Sequence, residues 1–399
     1  MRVAALIAGL IFCASVIVDA FQTIILPRRP VGRVRITRLF FILTWAPWSR
    51  IARHTGNAKA REQIYSIFGP GSLLLLLVVW ALLLVTGFGL LFFALGTPFD
   101  DALAGSSVLG RLRTDLYVSG TTLFTLGLGD VVPHSLAARA LIIFESATGL
   151  GLVALVIGYV PVLYGAFSHR EVSVAMLDGR AGSPPTSTEL LRRHAFAGGQ
   201  EALVVLLAEW ERWSAEILES HVSYPILCYY RSQHDNQSWL SALTAVLDTC
   251  ALLISVVPGV ASRQAQLTFA MARHALVDLG HVFHLEKHEK QWLARGGPDR
   301  LPPANFQHVC DLMLEANLRL CGDPEAPARL HALRALYEPH AQALADYLAM
   351  SLPGWVPEPR AKDQWKLVEA VRSQAALSIL KGTVVSDQAA AVRLHQDEH

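Results

Sequence analysis

Three long apolar runs fill much of the first 168 residues, and the rest of the chain alternates apolar and polar positions with a helical period. Residues 3–26 are apolar apart from Asp19 and Arg-free, residues 71–96 contain an unbroken leucine row at 73–77, and residues 137–166 hold one acid, Glu145. No charge occurs between Glu62 and Asp100. Each run reaches the about 20 residues that a membrane helix needs, so three spans are predicted. A cleaved leader is the competing reading of 3–26. The run is long and has no small-x-small cleavage site at its end, which favours a retained first span.

From residue 188 the pattern predicts helices at 188–220 (broken near Gly198 and Gly199), 236–257, 262–294, 303–320, 326–350 and 360–380. β-alternation is scarce, so the fold class is all-α. The expected organisation is a first transmembrane helix at 1–27, a basic loop with an interfacial helix at 28–69, a two-helix membrane unit at 70–168, a linker at 169–187 and a helical domain at 188–399. The linker ends Gly182-Ser183-Pro184-Pro185-Thr186-Ser187, and Ser187 or Thr188 is the expected cap of the next helix.

Charge gives these spans a direction. Arg28, Arg29, Arg33, Arg35, Arg38, Arg50, Arg53, Lys59 and Arg61 lie between the first two runs, opposed only by Glu62. The positive-inside rule puts this loop in the cytoplasm, the N-terminus and the segment between spans two and three outside, and everything after 168 inside, in a plasma-membrane protein. Residues 39–48 are too short to span and, with Trp45 and Trp48 and flanking arginines, are expected to lie at the inner interface. The arginines at 28–38 are irregularly spaced in a Pro- and Gly-containing loop, unlike a voltage sensor.

Composition sharpens this picture only in part. The mean hydropathy is +0.36, and charged residues are 17% with a net charge of +1, so neither nucleic acid nor another bulk electrostatic partner is implied. The five cysteines show no CxxC spacing and read as free thiols. Gly-x-Ser-x-Gly, HExxH and Walker patterns do not occur, and no organic cofactor or covalent chemistry is expected.

The candidate chemistry lies between spans two and three, at Thr125-Leu126-Gly127-Leu128-Gly129-Asp130. Consecutive backbone carbonyls can replace an ion's hydration shell if they face one axis. This requires a backbone that alternates in hand, which glycine at every second position permits. The stretch resembles the pore loop of the tetrameric potassium channels, usually Thr-Val-Gly-Tyr-Gly-Asp, with Leu126 for Val and Leu128 for Tyr. The resemblance covers residues 70–168 and marks a bacterial-type member. It implies K⁺ ions as cargo, a homotetramer in the lipid bilayer, and a filter of Thr125, Leu126, Gly127, Leu128 and Gly129. Leu126 and Leu128 are expected to point away from the ion path. Leu128 lacks the tyrosine hydroxyl that usually ties the filter to the pore helix. That helix is expected at 113–124, with Asp115 in its first turn, Tyr117 bracing the filter and Asp130 holding its outer end. Glu145 is expected to brace the pore helix through Thr121, Thr122 or Ser119, or else to face the cavity. The third span resembles the pore-lining helix. It has a basic Arg139 after the filter, a hinge glycine at Gly149 with Gly151 and Gly158 beyond it (close helix packing being the alternative for each), and a kink at Pro161.

The helical half lacks a GxGxxG after a strand, and so lacks the nucleotide-sensing Rossmann domain common in such channels. Two features of it carry candidate roles. Residues 221–239 are rich in polar and aromatic side chains, fitting either a ligand or subunit contact or a self-satisfied buried loop. His274, Asp278, His281, His284 and His288 fall along one face of the expected 262–294 helix, a candidate metal site beside the simpler reading of a polar face. The expected function is passive K⁺ conduction tuned by the cytoplasmic half through an unknown ligand. A weakly selective monovalent cation channel and a non-conducting sensor or scaffold are the alternatives.

Overall fold

The computed structural model describes residues 1–26, 35–100, 107–233, 236–295 and 299–357. Arg28, Arg29, Arg33 and the expected helix 360–380 lie outside these residues. Helix α1 (Arg2–Ala20) ends in a wide turn at Phe21–Ile25; α2 is Ile36–His54, α3 Ala58–Ala94, α4 Val108–Leu123 and α5 Leu136–Ala181. The remaining helices are α6 (Ser187–Arg193), α7 (Gly199–Ser223), α8 (Trp239–Ser255), α9 (Ser262–Val282), α10 (Glu286–Arg295), α11 (Pro303–Glu315), α12 (Ala326–Ala335) and α13 (Glu338–Leu348). Two short antiparallel strands, β1 (Phe99–Asp100) and β2 (Val132–Pro133), pair Phe99 with Pro133 and Asp100 with Val132. The all-α class expected from the pattern is the fold observed.

Among the described residues three helical segments, Arg2–Ile25, Ala58–Ala94 and Leu136–Ala181, are long and apolar enough to cross a membrane. The last two are longer than a membrane requires. Helix α3 has 37 residues and α5 has 46; at about 1.5 Å per residue both exceed the ~30 Å hydrocarbon core. Their excess enters the helical domain. The N-terminal part of α3 brings Tyr65 and Phe68, and the C-terminal part of α5 brings Val174, Leu177 and Ala181, into the same core as α7, α8 and α9. The segment 169–187 is therefore not an extended linker: α5 continues as helix to Ala181, because Val174, Leu177 and Ala181 bury one helical face there. Thr186, rather than Ser187 or Thr188, caps α6, its hydroxyl accepting from Glu189 N at 3.3 Å.

Inside the membrane unit α1 lies against α3. Their backbones approach at two glycines: a Cβ on Gly9 would stand 2.7 Å from Gly87 O, and one on Gly87 2.6 Å from Cys13 Sγ. Small residues permit such contact where lipid offers no hydrophobic drive. Val16, Leu76, Trp80, Leu84, Phe88, Phe92 and Leu123 complete this core. The helical half is built around α8, whose residues from Trp239 to Leu253 are almost wholly buried. Asp248 on α8 accepts from Arg300 Nη2 at 2.6 Å and from the Tyr337 hydroxyl, and Arg300 Nη1 donates to Glu338 at 3.1 Å. A buried carboxylate is tolerated there because each charge has a partner.

Helix α2 joins the two halves. Trp45 Nε1 donates to Tyr347 O at 2.8 Å, and Phe41 stacks on Tyr229 with centroids 5.3 Å apart. Residues 221–239 are likewise a joint rather than an open loop. Arg170, buried on α5, donates to Leu227 O and Tyr230 O, each at 2.9 Å, and meets His221 Nε2 at 3.2 Å. Burial first, and the Arg170 charge second, hold His221 well below the ordinary histidine pKa.

Candidate functional site

Helix α4 begins at Ser107, whose hydroxyl accepts from Gly110 N at 3.0 Å, and ends at the glycine-rich loop. The ending is a Schellman motif. Leu126 N donates to Thr121 O at 2.8 Å and Thr125 N to Thr122 O at 3.0 Å. Thr125 takes the left-handed position with φ 55°, where glycine is usual and a β-branched residue is strained by roughly 1–2 kcal/mol. Gly127 and Gly129 follow at φ 54° and 76°. The left-handed hand therefore recurs at every second residue, 125, 127 and 129, as a carbonyl ladder requires. Leu126 and Leu128 are exposed at 62% and 63% in the single chain. Thr121 and Thr122 support the loop through their main-chain carbonyls; the Thr121 hydroxyl is turned to Val118 O at 3.0 Å.

Five contacts hold the loop and the helix before it in place. The Tyr117 hydroxyl donates to Asp130 Oδ2 at 2.7 Å, so the loop is tied to α4 by a tyrosine of the helix, although Leu128 of the loop cannot make such a bond. The Ser119 hydroxyl lies 2.9 Å from Val85 O on α3 and in closer hydrogen-bonding contact with Glu145 Oε1 on α5. Glu145 is fully buried, and its contact is with Ser119 rather than with Thr121 or Thr122. The β1–β2 pair and the His134 Nε2–Asp100 Oδ2 contact at 3.0 Å join the segments before and after the loop. Asp115, expected in the first turn, lies mid-helix instead, where it is buried and accepts from Thr97 Oγ1 at 2.9 Å. The helix starts at Val108, five residues earlier than the expected 113, because Ser107 is the residue able to cap it.

Gly149 packs against the end of α4. A Cβ there would stand 2.1 Å from Leu123 O, whereas one on Gly151 or Gly158 would meet nothing within 4 Å. Arg139 Nε approaches Pro133 O at 3.4 Å. Pro161 lies inside α5, which runs unbroken past it. Ile143, Leu150, Val153 and Ile157 are more than half exposed along the same helix.

The histidine face does not form. Helix α9 stops at Val282 in a second Schellman motif, with His284 at φ 56°, His284 N donating to His281 O and Leu285 N to Gly280 O. The break buries Leu285 at 1% exposure. It divides His274, Asp278 and His281 from His284 and His288, and among the described residues no group of three or more His, Cys, Asp or Glu could hold a metal ion.

Sequence reasoning passed over Asp19 as a mere interruption of the first span. It is buried and accepts from Trp80 Nε1 at 3.0 Å and from Thr37 N and Oγ1 at 3.0 and 2.6 Å, with Arg35 Nε at 3.6 Å. The signal was present, since an acid within a span is costly and so calls for a partner.

Residues 78–163 match a family model described as ion channel. The match takes in the C-terminal part of α3, the whole of α4 with its loop, and α5 as far as Leu163. A Bacillus subtilis (strain 168) protein described as the uncharacterized membrane protein YdjJ is 25% identical over 336 residues, which cover 81% of this chain and 94% of that protein. That similarity extends well beyond the pore segment. No solved structure matches. Over residues 78–163 the chain is thus similar to the ion channel family, in a segment that holds parts of two of its three membrane-length apolar helices and the loop between them.

Proposed function

We propose that four copies of this chain form a K⁺-selective channel in the plasma membrane, with 125–129 supplying the ion sites and the helical half, on the cytoplasmic side, tuning the gate. The observation that carries this reading is the left-handed backbone at Thr125, Gly127 and Gly129, flanked by apolar membrane helices. One chain supplies one loop, and a carbonyl ring of this kind takes four. The exposed Leu126 and Leu128 and the apolar face of α5 from Ile143 to Ile157 supply the surfaces that neighbouring copies would cover. Conduction is passive. Coupling to the helical half runs through α5, which is continuous to Ala181 and clasped by the Leu227 and Tyr230 carbonyls at Arg170. A ligand acting on that half then biases two arrangements of one helix.

The direct test is Gly127→Ala. Beyond the adjoining residues no atom of the chain lies within 4 Å of the added Cβ, so the effect is conformational: an L-residue is forced into the left-handed region. Rb⁺ uptake into vesicles should fall to background while the oligomer stays intact by size. Normal uptake would remove the ion sites from this loop. Bi-ionic reversal potentials then separate K⁺ selectivity from a weakly selective cation channel, the reading favoured by Leu128 in place of tyrosine.

A further inference from the structure

A well-formed cavity lies away from the pore loop. It occupies about 370 Å³ where the C-terminal end of α1, the start of α2 and the apolar part of α3 meet the 225–229 turn and the end of α9. Its lining is part apolar, with Ile24, Phe41, Leu73, Leu76 and Leu77, and part polar, with Arg35, Arg38, Thr23, Thr37, His281 and His284; among the described residues no Asp or Glu lines it. Arg35 is matched to Asp19. Arg38 has no ion pair or hydrogen bond among the described residues. Ile42, half exposed, brings the cavity to the surface.

We propose that this cavity binds an anionic phospholipid from the leaflet that borders the C-terminal end of α1, its phosphate at Arg38 and Arg35 and the upper part of an acyl chain along Leu73, Leu76 and Leu77. Three observations favour such an occupant. The cavity is amphipathic, and its volume falls in the range of small-molecule sites but is too small for a whole two-chain lipid, whose tails would stay in the bilayer past Ile42. Its lining is basic without acids, and basic pockets between membrane helices suit anionic headgroups. Its depth is that of the membrane boundary, at the last turn of the first span. Tyr159 on α5, two residues before Pro161, also lines it. A bound lipid therefore touches the inner helix, the wall of the membrane unit and the helical half together. Its effect on gating rests on the channel reading, but its binding does not.

The test uses full-length protein stripped of lipid in non-ionic detergent and titrated with phosphatidylglycerol, phosphatidylcholine or inorganic phosphate, with bound lipid counted by native mass spectrometry. Phosphatidylglycerol should bind at least tenfold more tightly than phosphatidylcholine. Arg38→Gln should weaken the former about tenfold, a loss of ~1.4 kcal/mol, and leave the latter unchanged. Ile42→Trp, at an exposed position that tolerates bulk, should obstruct the mouth and reduce phosphatidylglycerol retention several-fold. Equal affinity for the two lipids, or no effect of either variant, overturns the proposal. Full displacement of the lipid by millimolar inorganic phosphate also overturns it, in favour of a small-anion site. Rb⁺ uptake is measured separately, so a protein that binds phosphatidylglycerol but does not conduct counts against the channel reading and not against the lipid site.

Discussion

Gly149→Ala separates a hinge from a packing contact. The resemblance to potassium channels implies a hinge at this residue, yet its Cα faces the last turn of α4. The added Cβ would stand 2.1 Å from Leu123 O and 3.0 Å from Leu123 C. A carbon–oxygen contact is ordinarily about 3.3–3.6 Å, so α4 and α5 must separate by roughly 1 Å. Both atoms belong to the main chain or its first carbon, and no rotamer change relieves the clash. Overpacking of this kind costs about 1–3 kcal/mol. The displaced carbonyl is two residues from Thr125, so the strain passes straight into the loop. Gly151→Ala and Gly158→Ala add a methyl where nothing lies within 4 Å and should raise helix stability by up to about 1 kcal/mol each. Thermal melting of the purified oligomer, with Rb⁺ uptake on the same preparation, should show Gly149→Ala melting earlier and conducting poorly. The other two variants should melt at or above the parent temperature. Unchanged melting and uptake in Gly149→Ala would refute the packing argument, and equal damage in all three would refute its restriction to Gly149.

Tyr117→Phe removes the hydroxyl that donates to Asp130; in this half-exposed place the bond is worth about 1 kcal/mol, and the K⁺/Na⁺ permeability ratio should fall, whereas Leu128→Tyr should leave it equal or higher, and reversal potentials read both. His221 stays neutral in the folded protein, because burial and then the Arg170 charge depress its pKa from 6.5. Its stabilising contribution is therefore full above pH 6.5 and is lost as pH falls below it, when the unfolded chain binds a proton that the folded one does not. His221→Gln should flatten the decline of melting temperature between pH 6.5 and 5, and parallel curves would dismiss this assignment. For orientation, a cysteine in place of Leu109, 76% exposed near the start of α4, should react with an impermeant thiol reagent applied outside, and one in place of Phe196, 58% exposed in the helical half, should not. Positions 181–183 and 185–191 suit this test poorly, since burial alone shields them.

The apolar runs at 3–26, 71–96 and 137–166 sufficed to place three spans, because a membrane helix must satisfy its backbone internally and present apolar side chains all round. The paired glycines of Thr125-Leu126-Gly127-Leu128-Gly129 sufficed to mark the loop, because the left-handed conformation has a steric cost that glycine escapes. Both are local constraints, written in consecutive residues. What the sequence left open depends on partners distant along the chain. Whether Gly149 is a hinge or a contact is decided by Leu123, on another helix. Whether 169–187 is linker or helix is decided by the core that Val174, Leu177 and Ala181 enter. The split histidine face follows from the burial of Leu285, which outweighs helical continuity at 283–285. Asp19 is a blemish in a hydropathy profile until Trp80, Thr37 and Arg35 converge on it from two other segments. The cavity proposed for a lipid exists only where segments distant along the chain meet. Periodicity records which face of a helix is buried; only the assembled tertiary structure supplies what lies against that face.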